Sequence, residues 1–119
     1  MGSVVNAPPA AVPLTLNLPQ TIDVKACFGV ASFAQCVPAA IVEEVLVLNA
    51  DYTISTGYPD YTGVWSQPNG PTSLRLEFFE QPSGNTTIVY EGVGVSSSCA
   101  EGTGSGPLVP GAAFSACTL

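Results

Sequence analysis

Histidine is absent from this 119-residue chain, and basic residues number only two, Lys25 and Arg75. The first absence removes the commonest nitrogen ligand for zinc, the usual general base, and the Ser-His and Cys-His nucleophile pairs. The second removes the basic footprint that nucleic-acid binding requires. With a net charge of -7, an anionic membrane surface repels the chain for the same reason. No apolar run approaches the roughly 18 residues of a membrane span, so membrane insertion is not expected. Charged residues make up only 9%, against about 25% in ordinary soluble domains. Ser, Thr, Asn, Gln and Gly must therefore solvate the surface, unless another copy or a partner covers part of it.

The four cysteines are Cys27, Cys36, Cys99 and Cys117. Their even number, without any C-x-x-C spacing, favours disulfides over a metal site. Three pairings exist, and local closure favours Cys27–Cys36 with Cys99–Cys117. A bridge across the first, short loop contributes roughly 3 kcal/mol by restricting the unfolded chain. Bridged cysteines imply an extracellular, periplasmic or cell-surface location. No signal peptide is visible, and Met1-Gly2-Ser3 reads as a scar ahead of a mature sequence whose export signal has been trimmed.

The length is that of one domain with one core. Residues 1–13 form an Ala- and Pro-rich arm, with Pro8, Pro9 and Pro13, that must be extended rather than helical. Residues 14–119 read as a single β domain. Leu14, Leu16 and Leu18 alternate with Thr15 and Asn17 as a short strand that Pro19 closes. Ile22, Val24 and Ala26 share one face of the next strand. Ala39 to Leu46, just after Pro38, has some helical character, but Val and Ile content favours a strand from about Ile41 to Leu48. Val45 to Leu48 is apolar on both faces, the mark of a strand covered on both sides.

Further strands follow over 52–56, 61–67, 72–80, 86–95, 100–103 and 112–119, separated by turn-forming clusters such as Pro68-Asn69-Gly70-Pro71. Gly92 and Gly94 suggest a bend or bulge of the kind barrels use at corners. The spacing predicts an all-β antiparallel meander of about eight strands, a small barrel or a sandwich, stapled by disulfides.

Asp51-Tyr52-Thr53-Ile54, Gly63-Val64-Trp65-Ser66, Leu74-Arg75-Leu76, Val89-Tyr90-Glu91-Gly92 and Glu101-Gly102-Thr103-Gly104 follow one another in order. This succession resembles that of bacterial lipocalin-like β-meander domains, over roughly Leu48 to Leu119. Tyr52 departs from the pattern, standing where that family type carries a turn glycine. The arm and the Cys27/Cys36 pair have no counterpart in it. The resemblance implies a small antiparallel barrel that holds an apolar ligand and carries no catalytic residues.

Candidate binding residues are aromatic. Trp65 reads first as core packing, or else as a platform lining a pocket with Tyr52, Tyr58, Tyr61 and Tyr90. Tyr58 and Tyr61 flank a turn, where exposed aromatics serve as anchors. Glu43-Glu44 and Glu77, Glu80 and Glu91 offer carboxylate pairs of the glycosidase type, but solvated strand faces explain them better. Asn49, Asp51, Asp60 and Asn69 offer oxygen ligands without a calcium-loop motif. No metal or other cofactor is expected, nor an enzyme. The expected function is a binding or recognition module for a small apolar or aromatic ligand. The alternative is a self-assembling subunit of an extracellular filament or surface layer, its arm and first strand adding to another copy.

Overall fold

The computed structural model describes residues 10–107 and 109–119. The first nine residues of the arm, Pro8 and Pro9 among them, lie outside the described residues, as does Leu108.

Eight strands run in chain order around a closed antiparallel barrel. They are β1 (Gln20–Phe28), β2 (Val42–Leu48), β3 (Thr53–Ser55), β4 (Tyr61–Ser66), β5 (Ser73–Glu80), β6 (Thr86–Gly94), β7 (Cys99–Gly106) and β8 (Val109–Thr118). The barrel closes where β1 meets β8, in continuous register from Ile22 opposite Thr118 to Phe28 opposite Ala112. That seam leaves no free edge for a further strand. At eight strands the interior is just wide enough to be filled by side chains or to hold one small ligand.

Period-two alternation explains the core. Ile22, Val24 and Ala26 of β1, Leu46 and Leu48 of β2, and Leu74, Leu76 and Phe78 of β5 are buried. The intervening positions carry the charges. Lys25 lies 3.9 Å from Asp23 and 3.7 Å from Glu43. Arg75 donates to Glu77 at 2.9 Å and to Glu91 at 3.2 Å. Both basic residues are thus taken up on the outer surface.

The wall made by β6, β7 and β8 is built of small residues, because large rings lie on it. Tyr90 stands opposite Gly104 across β6 and β7, and a β-carbon on Gly104 would run into the Tyr90 ring. Phe114 stands opposite Gly102 and presses on Gly92. Tyr90 and Phe114 stack at 5.0 Å between centroids, and Phe78 meets Tyr90 edge-on at 6.1 Å. Large residues of one strand therefore lie on small ones of the neighbouring strand within this wall, as close packing demands.

Three segments differ from what the sequence pattern predicts. The Leu14–Leu18 alternation is not a strand of the sheet. It is the end of the arm, which crosses one mouth of the barrel. The Val12, Leu14 and Thr15 amides donate to the Gly94, Pro71 and Ser97 carbonyls at 2.8 Å each, while Leu14 and Leu16 pack against the core. Gly94 is required here because a β-carbon would collide with the Val12 carbonyl. Second, β2 is covered on one face only: Leu46 and Leu48 are buried, whereas Val45 is 54% exposed. A single-layer barrel has nothing outside it to cover that face. Third, Gly92 and Gly94 stay in the ladder, and the register shifts fall at Phe78/Phe79 and Gly104/Gly106 instead.

Both expected disulfides are formed. Cys99 and Cys117 stand directly opposite in the β7–β8 register. Cys27–Cys36 ties the long β1–β2 connection, which contains two 3-10 turns at Phe33–Gln35 and Pro38–Ala40, to the end of β1. Pro38, with its fixed φ, sits at the start of the second turn, so the helical character of this segment ends before β2.

Candidate functional site

The arm covers the end of the barrel that contains the β4–β5 and β6–β7 turns. The opposite end opens into a cavity of about 390 Å³, within the range of small-molecule sites. Its apolar lining comes from Val24, Ala26, Leu46 and Ile88, with Phe28 at the rim and Phe78 deeper. Thr56 and Thr87 add hydroxyls. Tyr58, Tyr61 and Tyr90 supply three phenol rings, and Glu43 and Glu44 supply the carboxylates.

The local fold positions each of these. Tyr58 belongs to the connection between β3 and β4, and Tyr61 is the first residue of β4. The Thr56 hydroxyl donates towards the Tyr58 and Tyr61 carbonyls, at 2.9 and 3.1 Å, and accepts from the Tyr58 amide at 3.3 Å. One small side chain thus gathers the turn and holds both tyrosines at the rim, where they are exposed. Tyr90 lies deeper on β6, buried between Phe78 and Phe114. Burial, and then the charge of Glu44, push its phenol up to about 12. Tyr90 therefore remains a neutral hydroxyl at any ordinary pH. Glu44 shares the inward phase of β2 with Leu46 and Leu48. It has no hydrogen-bond or ion-pair partner among the described residues, and burial raises its pKa above the ordinary value.

Tyr52 and Trp65 lie together at the other end of the barrel, apart from this cavity. Trp65 is 4% exposed and its indole N–H donates to the Asn49 carbonyl at 2.9 Å. Tyr52 caps it, with ring centroids 5.0 Å apart. Of the five aromatic candidates, the fold thus gathers Tyr58, Tyr61 and Tyr90 at one cavity and places Tyr52 and Trp65 in a separate pair.

Tyr52 occupies a turn position whose backbone favours glycine. Tyr52 adopts φ of 68°, a left-handed conformation that costs a non-glycine residue about 1–2 kcal/mol. Asp51 holds the turn by accepting from the Thr53 hydroxyl at 2.6 Å and the Thr53 amide at 3.1 Å. Those bonds keep the Asp51 carboxyl below its ordinary pKa. The Tyr52–Trp65 contact contributes about 0.5–1.5 kcal/mol, close to the backbone cost. Tyr52→Gly should accordingly change stability by less than about 0.5 kcal/mol, since both terms vanish together. Tyr52→Ala keeps the strain and loses the ring, and should cost about 1 kcal/mol. Paired chemical denaturation curves check this, and equal losses in both variants would contradict it.

Phe28, Phe78 and Ile88 reach the cavity without having been singled out in the sequence, and Glu44 was weighed there only as half of a carboxylate pair. The signal that reveals Glu44 is strand phase. Counting back in steps of two from Leu48 and Leu46 lands on Glu44, a carboxylate where the pattern requires an inward residue.

Compared with protein-family models, curated proteins and solved structures, the chain matches none.

Proposed function

We propose that this domain is a non-enzymatic binding module, working outside the reducing cytosol, that holds a small apolar or aromatic ligand in the open end of its barrel. The observation that carries this reading is the asymmetry of the two ends. One is sealed by the arm and Trp65, whereas the other leads into an apolar cavity ringed by tyrosines. A closed barrel also has no strand edge to offer, and residues 12–16 are engaged with their own barrel. Both features favour a self-contained module over a subunit that assembles by strand addition. The two disulfides support an oxidising location.

The test uses 1-decanol as a neutral apolar probe, with native mass spectrometry and thermal shift. One bound molecule and a raised melting temperature are expected. Ile88→Trp, which fills the cavity with an indole, should abolish both effects. A parent protein that holds no probe, or an Ile88→Trp variant that binds as well as the parent, would sink the proposal.

A further inference from the structure

The cavity has a charge that an apolar guest alone does not explain. Glu44 points into the lumen from β2, in phase with Leu46 and Leu48. A carboxylate partly withdrawn from water beside apolar walls is unfavourable unless something answers its charge. Among the described residues, nothing is placed to do so. Lys25 is shared between Asp23 and Glu43, and Arg75 between Glu77 and Glu91. An inward glutamine or leucine would have spared the barrel this cost.

The surroundings of Glu44 suit one class of guest. Tyr90 faces it from β6 with a neutral hydroxyl, and Tyr58 of the β3–β4 connection and Tyr61 at the start of β4 face the mouth. From β1 the neighbours are Val24, Ala26 and Phe28, which carry no charge. Glu43 borders the mouth as well, but its carboxylate is paired with Lys25 on the outer face. Phenol rings attract cations over their faces, best where water is excluded, and carboxylates repel anionic guests. Resting on the reading of the cavity as a ligand site, we infer that this barrel selects an apolar amine: an alkyl or aryl body in the lumen and a cationic head at the mouth, with Glu44 as its counter-charge and Tyr58, Tyr61 and Tyr90 around it.

Three probes with one ten-carbon chain separate the terms: decylamine hydrochloride, 1-decanol and sodium decanoate, each titrated calorimetrically at neutral pH and low salt. Decylamine should bind about tenfold or more tighter than 1-decanol, and decanoate weakest. Glu44→Gln should bring amine and alcohol to within about threefold of one another. Glu101→Gln removes the same charge from the exposed outer face of β7 and should leave the amine preference intact. Circular dichroism and the melting temperature establish that each variant is folded.

The parent protein offers a second measurement that needs no variant. Burial raises the Glu44 pKa, and its counter-charge is lost as pH falls through that value, so the amine preference should weaken on acidification while the amine itself stays protonated. Equal binding of amine and alcohol, a preference that survives Glu44→Gln, or one erased equally by Glu101→Gln would overturn the inference while leaving the cavity reading standing. Binding of none of the three probes would overturn both.

Discussion

Gly102→Val is expected to cost about 4 kcal/mol, in the severe tail of single substitutions, as read from urea denaturation with both disulfides intact. The β-carbon it introduces lands on the Glu91 carbonyl oxygen, with the Gly92 α-carbon next in line. Both atoms are backbone, and both belong to the β6–β7 ladder, where Gly92 and Gly102 are paired directly. A side chain can rotate away from an intruder, but this ladder can yield only by breaking its own hydrogen bonds. Gly111→Ala is the contrast. A β-carbon there meets nothing within 4 Å, and its cost should stay within about 0.5 kcal/mol. Comparable losses at the two positions would show that general strand propensity, rather than strand approach, decides the glycine wall.

Leu76→Ala should be about as damaging, at about 4 kcal/mol. Leu76 is 0% exposed and lies mid-barrel on β5, with Trp65 opposite it on β4 and Tyr90 opposite it on β6. Truncation loses the buried methyl groups and leaves a void that these two rings cannot close, since each is fixed by other contacts. The Trp65 indole is anchored on the Asn49 carbonyl, and Tyr90 is stacked on Phe114. Equilibrium denaturation measures the loss. A cost under about 1 kcal/mol would mean that the core collapses around the site.

These two positions show what the sequence disclosed and where it fell short. The strands themselves were legible, because turn chemistry at Asn49-Ala50-Asp51 and Pro68-Asn69-Gly70-Pro71 brackets runs of alternating residues. The pairing of Cys27 with Cys36 and of Cys99 with Cys117 was legible from local closure. Barrel against sandwich was not, because it depends on whether β1 meets β8, a contact between residues some 90 apart that no local pattern encodes.

The same limit explains the misread segments. Leu14 and Leu16 alternate like a strand because an extended arm that packs on a core has the same period. Val45 and Val47 look doubly covered because β-branched residues suit the outer face of a strand as well. Gly92 and Gly94 read as bends because sequence shows only that a side chain is missing, not which ring or carbonyl fills its place. Tyr58 and Tyr61 were visible as turn aromatics. Their meeting with Tyr90 and Glu44 required the barrel to close.

The glycine wall divides the lumen into a side that can vary and a side that cannot. Along β6 and β7, Gly92, Gly102 and Gly104 are already filled by neighbouring atoms, so any added atom must displace the ladder or a stacked ring. Across the lumen, Val24, Ala26 and Leu46 face the cavity itself, where added or removed methyl groups change open volume instead. Descendants or designed variants of this barrel can therefore acquire new guests by exchanging residues on β1 and β2, while the opposite wall holds the shape against which each guest is fitted.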